Sequence, residues 1–285
     1  MNWYGDCVIV DHGIDWFTTT ATDKKTAHLA LLRAENLISK EQRLGFIRKP
    51  WKMAGYSGWR AGRIEFGTRE DGCIVRLSSG LADSEWWEFW QTTERCSRID
   101  LQATLKHVDG PIVPLRKMAR AVRRFYGTRK DGPTITEWSN SEGGYTLYLG
   151  KRASDLYFRG YNKEAQTNLP EYEGCLRLEV EFKKRVAESV IASLLSCETV
   201  AIGVCGILSF FLRDRGAAPL SFQEIPQKFY RPAIVPDLLK VSRWLKECVE
   251  PSVIRLVEAG LLLETIDNLG LTNFVTPNMK DRDNL

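Results

Sequence analysis

An α+β fold, in which helices cover a central antiparallel β-sheet, is predicted by two features of the sequence. Short runs of β-branched and aromatic residues recur along the chain between Gly, Asp and Asn turns, as in antiparallel hairpins. Between these runs lie segments in which apolar residues recur at helical spacing. We expect residues 1–215 to form one domain of this kind and residues 216–285 to form a helical C-terminal region.

The first 72 residues carry signals for several strands and a covering helix. An opening strand is predicted at 14–21, after an Asp-His-Gly turn at 11–13. Asp23 occupies an N-cap position for an amphipathic helix over 27–44. The pair Asp71-Gly72 lies between two β-rich runs, and this arrangement predicts a hairpin.

A tryptophan-rich helix and a strand of mixed character follow. The helix is predicted over 83–91, with Asp83 or Ser84 as its cap. In the strand at 96–105, Arg98, Asp100 and Gln102 face one side, whereas the apolar residues between them face the other. The Arg-x-Asp pair predicts either a structural salt bridge or a metal-binding Asp.

A basic amphipathic helix is predicted at 114–126. Its apolar side suits packing on the sheet, and its other side carries cations without an acidic residue between them. Such a face is usually only solvated, but in a chain with little net charge it is also the best candidate for contacts with DNA phosphates. The candidate contacts are Arg116, Lys117, Arg120, Arg123 and Arg124.

Strands at 134–138, 145–149 and 155–161 are predicted to form a meander. The hairpin at 150–154 carries Lys151 and Arg152, two further candidates for phosphate contacts. A strand at 175–182 then continues into a helix from about residue 184. Later, 237–248 and 251–259 predict two helices that suit either DNA binding or dimerisation.

The composition limits the possible functions. Forty Lys and Arg against 36 Asp and Glu give a net charge of only +4, so binding to nucleic acid has to depend on local clusters of cations. Seven Cys without a C-x-x-C spacing argue against a disulfide framework and a zinc ribbon, and they indicate a cytoplasmic protein. The spacing of the three His argues against a His-based metal site.

One apolar segment, 189–212, is long enough to cross a membrane. Glu198 and Thr199 lie near its middle, and its flanks show no asymmetry of positive charge. We therefore expect two buried helices with a break at this point and no contact with a membrane.

The chemistry concentrates in residues 144–182. Alternation along a strand places Tyr157, Arg159, Tyr161 and Lys163 on one side, and it does the same for three charged residues of the next strand. Those three residues are Arg177, Glu179 and Glu181. A phenol beside cations and carboxylates suits phosphodiester chemistry, in which Tyr attacks, cations hold the phosphate and carboxylates hold a divalent cation.

Four short motifs in this chain resemble a known family. YLGKRAS (148–154) and RGYNK (159–163), followed by RLE (177–179), are similar to a signature of "YLG, x, R/K, x, S" and then R-x-Y-D-K. That signature is found in rolling-circle replication initiation proteins of plasmids and phages, the replication initiation factor (Rep_trans) family. CSRIDLQATL (96–105) resembles the family's R-x-D-L strand, and IDWFTTTA (14–21) resembles its opening strand. The resemblance covers most of the chain.

The resemblance implies a sheet-based nickase core, as in rolling-circle initiators and relaxases, over 1–215. It implies that Tyr161 is the nucleophile of a DNA nickase and strand transferase, with Tyr157 and Tyr148 as alternatives. Lys163 would lower the pKa of the phenol or hold the phosphate, and Arg159 would contact the phosphate. Oxygen ligands imply Mg²⁺ or Mn²⁺. The expected metal ligands are Asp100, Glu179 and Glu181, unless Arg98 and Arg177 simply pair with the carboxylates.

Three positions depart from the family pattern. Asn162 stands in place of an Asp, Gly160 in place of a β-branched residue, and Thr104 in place of a second Asp. The expected function is initiation of rolling-circle replication through a 5′-phosphotyrosine, and the alternatives are a relaxase or a non-catalytic DNA-binding regulator. The expected partners are origin DNA, as duplex or single strand, a second copy of the chain and a host helicase.

Overall fold

One antiparallel sheet of ten strands runs through the computed structural model, which describes residues 7–127 and 132–217. In chain order the strands are β1 (Cys7–Ala21), β2 (Lys49–Met53), β3 (Tyr56–Ala61), β4 (Ile64–Arg69), β5 (Gly72–Ser78), β6 (Arg98–His107), β7 (Ile135–Ser139), β8 (Tyr145–Leu149), β9 (Leu156–Asn162) and β10 (Cys175–Lys183). Their order across the sheet is β2-β3-β4-β5-β1-β6-β10-β9-β8-β7. The predicted fold class is therefore confirmed.

Long helices cover one face of this sheet. The helices are α1 (Lys24–Arg43), α2 (Ser79–Thr93), α3 (Ile112–Tyr126), a short α4 (Lys163–Thr167), α5 (Lys184–Leu195) and α6 (Val200–Asp214). α1 and α2 pack on β1, β4 and β5, α3 packs on β8 and β9, and α5 and α6 pack on the central strands. Because side chains alternate along a strand, this apolar layer leaves the polar residues of the same strands on the opposite face.

Side chains cap the first turns of α1 and α6. Asp23 accepts a hydrogen bond from the amide of Thr26 at 2.8 Å, which confirms the predicted cap of α1. Thr199 caps α6 in the same way, so the apolar segment at 189–212 is divided into α5 and α6, as predicted. No helix in the described ranges is long and apolar enough to span a membrane.

Two local predictions are wrong. β1 is one continuous strand of 15 residues, and residues 11–13, where a turn was expected, pair regularly with β6 between two register shifts, one between Ile9 and Asp11 and one between Ile14 and Trp16. α2 begins at Ser79, so Asp83 does not cap it. Asp83 instead accepts a hydrogen bond from the amide of Ile14 at 2.8 Å. This bond satisfies a backbone N–H of β1 next to the register shift between Ile14 and Trp16.

The predicted C-terminal helical region falls almost wholly outside the described residues. Only its first two positions, 216 and 217, are described, so the helices expected at 237–248 and 251–259 remain predictions.

Candidate active site on the polar face

The antiparallel register of the central strands gathers the predicted site residues on one face of the sheet. Glu179 of β10 lies opposite Arg159 of β9, and Glu181 lies opposite Asp100 of β6. Tyr161 pairs with Arg177 in the next cross-strand row. These side chains share the face opposite the long helices, as the alternation predicts.

Tyr161, Glu179 and Arg159 form a three-residue cluster at the centre of this face. The Tyr161 hydroxyl donates a hydrogen bond to Glu179 Oε1 at 2.5 Å. Arg159 Nε donates to the other oxygen of the same carboxylate. Glu179 is 3 % exposed, whereas the Arg159 side chain is 39 % exposed. The phenol proton therefore already points at a buried base, and the outer part of the guanidinium remains accessible from solvent.

The pKa of the Tyr161 phenol is raised, first by burial and then by the negative charge of Glu179. Arg177 and Arg159 act to lower this pKa but do not outweigh burial and Glu179, and the lowering expected of Lys163 stays a prediction. A phenol with a raised pKa is protonated at neutral pH, so a nucleophilic attack requires the proton to leave during the reaction. Glu179 is the group in position to receive it.

Lys163 lies beside Tyr161, although it is not part of the strand. Asn162 ends β9 and caps α4 by accepting a hydrogen bond from the amide of Ala165 at 3.1 Å, so Lys163 is the first residue of a helix. Its Nζ lies 6.0 Å from the centre of the Tyr161 ring and 3.0 Å from Gln166 Oε1. Burial and the charge of Arg177 lower the pKa of Lys163.

Asp100 and Glu181 share the guanidinium of Arg98. Arg98 Nε lies 2.8 Å from Asp100 Oδ1, and Arg98 Nη2 lies 2.5 Å from Asp100 Oδ2 and 2.9 Å from Glu181 Oε2. Lys183 also pairs with Glu181, at 2.5 Å. Asp100 is 2 % exposed, and this burial raises its pKa to about 6 despite the opposing effect of Arg98. Of the two roles that the sequence allowed for the Arg98 and Asp100 pair, a salt bridge or a metal-binding Asp, the salt bridge is present in the structure.

The predicted metal ligands do not fit a divalent cation as they are arranged here. Each of Asp100, Glu179 and Glu181 already has a cationic partner. Within the described ranges, no three His, Cys, Asp or Glu residues are grouped closely enough to hold a metal ion. A divalent cation would have to compete with arginine and lysine for these oxygens.

Two acidic residues of β1, Asp11 and Asp15, belong to this face but were not predicted from the sequence as site residues. Arg177 pairs with Asp11 at 3.4 Å and with Asp15 at 3.8 Å, and its Nε donates to Thr104 Oγ1 at 3.0 Å. Thr104, which departs from the family pattern, thus serves as an acceptor for Arg177. Burial and the nearby Glu179 raise the pKa of Asp15. The sequence did contain a signal for this pairing, because Asp11 and Asp15 are charged residues within a run of β-branched and aromatic residues.

Two clefts open near Tyr161, one lined by Tyr161 itself and the other by its neighbours Lys163 and Arg177. One cleft of about 240 Å³ is bounded by Tyr161, Arg159 and the β7–β8 hairpin. Another, of about 310 Å³, is bounded by Lys163, Arg177, Asp11 and Asp15. Tyr161 and Lys163 thus stand between an aromatic and amide-rich cleft and a strongly charged one.

The alternative nucleophiles, Tyr157 and Tyr148, stack on each other on the same face. Their ring centres are 5.9 Å apart and nearly parallel. Burial raises the pKa of Tyr157, whereas the charge of the nearby Arg152 acts to lower it. No carboxylate accepts a hydrogen bond from either hydroxyl in the described part of the chain, so neither Tyr has a base in position as Tyr161 does.

The basic helix α3 lies on the other side of the sheet from Tyr161. Its Leu115 packs against Gly160, where an added Cβ would come within 2.7 Å of Leu115 Cδ2. The residue that departs from the family pattern at this position therefore allows close packing of α3. Arg123 forms a salt bridge with Glu137, and Glu137 also accepts a hydrogen bond from the Tyr145 hydroxyl. Any DNA bound along α3 would contact a different surface from DNA at Tyr161.

The predicted phosphate contacts Lys151 and Arg152 are exposed at the β8–β9 hairpin. This hairpin is close to the polar face, because Lys183 donates to the backbone carbonyl of Arg152. Of the predicted DNA contacts, these two therefore lie nearer to Tyr161's side of the sheet than the cations of α3 do.

Comparisons with known proteins agree with the resemblance. The family model described as "Replication initiation factor" matches residues 116–208, about a third of the chain. This segment contains Arg159, Tyr161, Lys163, Glu179 and Glu181, but not Asp100. The resemblance to this family is thus confirmed over these residues.

A solved structure of a rolling circle replication initiator protein from Geobacillus stearothermophilus also matches. It is 16 % identical in sequence, the match covers 78 % of this chain and 91 % of that chain, and the TM-score is 0.46. No curated protein matches the chain.

Proposed function

We propose that this protein starts rolling-circle replication by nicking one DNA strand with Tyr161. The observation that carries the proposal is the hydrogen bond from the Tyr161 hydroxyl to Glu179, within a segment that matches the replication initiation factor family. A nucleophilic tyrosine needs a base that takes its proton and cations that hold the phosphate. Glu179 supplies the base, and Arg159 and Lys163 supply the cations.

In the proposed reaction, the Tyr161 oxygen attacks the phosphorus of the scissile phosphodiester. The phenol proton passes to Glu179, the bond from phosphorus to the 3′-oxygen breaks, and that oxygen takes a proton from water, whose hydroxide then recovers the proton held by Glu179. The products are a 5′-phosphotyrosine and a free 3′-hydroxyl from which synthesis can extend. Because the linkage keeps the energy of a phosphodiester, the reverse reaction can rejoin the strand.

The test is a search for a covalent adduct on supercoiled DNA that carries the coding region and its flanks. We expect the wild-type protein to form an adduct and Tyr161→Phe to form none. Tyr145→Phe is the matched control, because the Tyr145 hydroxyl also donates a hydrogen bond to a glutamate but its ring belongs to the hydrophobic core under the helices. Loss of the adduct in Tyr157→Phe alone would assign the nucleophile to Tyr157.

The same assay separates the alternative functions. Binding without any nick would indicate a non-catalytic regulator, and an adduct that supports transfer but not replication would indicate a relaxase. The Mg²⁺ or Mn²⁺ requirement that the family resemblance implies is a separate prediction, and a metal would have to displace the cations that now pair with Asp100, Glu179 and Glu181. It is tested by adding EDTA and then restoring each ion. Activity that persists in EDTA would contradict it.

A further inference from the structure

The cleft between Tyr161 and the β7–β8 hairpin combines two kinds of side chain that proteins use to bind nucleobases. Trp138 and Tyr148 offer aromatic rings, and Asn140 and Gln166 offer carboxamides. Aromatic rings stack on bases, and carboxamides form hydrogen bonds with their edges. The second cleft also has an aromatic ring and a carboxamide, from Tyr172 and Gln102, but it is lined by the carboxylates of Asp11, Asp15 and Asp83, which repel the phosphates of DNA.

Trp138 is exposed in a position where packing gives no reason for an indole. It is 53 % exposed and lies on the edge strand β7. Trp138 pairs with Thr146, and Thr146 pairs with Tyr161, so the three residues form one cross-strand row. The strand spacing sets Trp138 about 10 Å from Tyr161. The small side chain of Thr146 between them forms the floor of the cleft.

The polar groups of the cleft are held in place by their own partners. Asn140 Oδ1 accepts hydrogen bonds from the amides of Gly144 and Glu142, which fixes the carboxamide at the hairpin tip. Gln166 Oε1 accepts a hydrogen bond from Lys163, so its oxygen is engaged and its amide nitrogen is the group that can donate to a base edge. Arg159 also lines the cleft and donates to Glu179 through Nε, so its outer nitrogens remain for a phosphate.

We propose that this cleft binds a nucleobase of single-stranded DNA, stacked on Trp138, next to the phosphate that Tyr161 attacks. The inference rests on the proposed nicking function, to which it adds the binding site for a nucleotide beside the scissile bond. The bound base fixes the adjoining phosphate over Tyr161 and Arg159. Single-stranded rather than duplex DNA is required, because in a duplex each base is stacked between its neighbours and its faces are covered.

The experiment compares two single strands of equal length, about eight nucleotides, an oligothymidylate and a fully abasic oligomer. Both carry the same phosphates, and only the first carries bases. Binding is measured in the non-cleaving variant Tyr161→Phe at one fixed salt concentration, with and without Trp138→Ala. We expect Trp138→Ala to weaken binding of the oligothymidylate about 5- to 150-fold and to leave binding of the abasic strand unchanged.

Two further variants separate stacking from a structural effect. Trp138→Phe keeps a ring and is expected to retain most of the affinity. Trp87→Ala removes another partly exposed indole, from the helix layer, and is expected to change neither affinity. Equal losses on both strands in Trp138→Ala, or no loss on either, would overturn the inference.

Failure of the inference and failure of the proposed function give different results. If no adduct forms on any DNA but Trp138→Ala still removes the preference for bases, the nucleobase site stands and the nicking proposal fails. If adducts form and Trp138→Ala binds both strands like its parent, only the nucleobase site is wrong.

Discussion

Two clusters in this protein have the same chemical composition but opposite positions. Tyr161, Glu179 and Arg159 lie on the polar face of the sheet, whereas Tyr145, Glu137 and Arg123 lie on the helix-covered face. In both clusters a phenol donates to a glutamate that also pairs with an arginine, and in both the pKa of the tyrosine is raised.

The difference lies in the groups around each cluster. Both tyrosines line the first cleft and have a second cation near the ring, Lys163 at 6.0 Å for Tyr161 and Arg116 at 5.6 Å for Tyr145. Tyr145 belongs to the hydrophobic core, whereas Tyr161 lies among the charged residues of the polar face, opposite Arg177. A tyrosine with a base and nearby cations is therefore not sufficient for a nucleophilic site, because the hydroxyl also has to lie on a face that a phosphate can reach.

The largest effect is expected from Glu179→Gln, which keeps the size of the side chain but cannot take a proton. We expect the rate of adduct formation to fall about 10²- to 10⁴-fold, the range that general base catalysis supplies. Glu137→Gln is the matched control and is expected to leave the rate unchanged. Equal rates for wild type and Glu179→Gln would show that another group removes the phenol proton.

A second effect concerns the pH dependence of stability at the polar face. The pKa of Asp100 is raised to about 6 in the folded protein, above its ordinary value, so the folded state binds this proton more tightly than the unfolded state does. This group therefore makes the protein less stable as the pH rises from about 4 to about 6, by up to about 3 kcal/mol.

The measurement is urea unfolding of the wild-type protein and Asp100→Asn across this pH range in EDTA. Asn does not titrate, so the stability of the variant relative to wild type should increase with pH. Parallel profiles for the two proteins would contradict the raised pKa.

A smaller effect is expected where β9 meets α4. Asn162→Ala removes the cap of α4 and is expected to cost about 1 kcal/mol of unfolding free energy. Because Lys163 begins this helix, adduct formation should weaken as well. Asn162→Asp keeps a capping oxygen and should lose less of both. An activity loss in Asn162→Asp as large as in Asn162→Ala would mean that capping does not explain the role of Asn162.

The smallest effect is expected at the second cluster. The Arg123 side chain is 50 % exposed, and ion pairs with such exposure contribute little. Arg123→Ala should change the unfolding free energy by about 0.5 kcal/mol and leave adduct formation unchanged. A strong loss of nicking on intact DNA would instead indicate that α3 takes part in DNA binding.

Alternation along strands made part of the site predictable. The period of two is enough by itself to place Tyr161 with Arg159 on one face, and Glu179 with Glu181 on one face. The pairing partners were not predictable, because Asp11 and Arg177 are 166 residues apart and meet only through the order of the strands.

The position of α3 was unpredictable for a similar reason. The amphipathic pattern of 114–126 correctly gave the side of the helix that is buried, through Leu115, Met118 and Val122. It contains no information about which face of the sheet receives the helix. The predicted start of α2 was wrong because Asp83, which was expected to cap the helix, lies inside it and accepts a hydrogen bond from the amide of Ile14 in β1.

The alternation in β9 also limits how genes for such proteins can change in length. Arg159 and Tyr161 point into the site, while Gly160 between them packs under α3. Deleting or inserting one codon within this strand would exchange the two faces and turn the phenol toward the helix layer. Substitutions in β9 can be tolerated one at a time, but changes of length have to occur in the connections, such as residues 168–174 between α4 and β10.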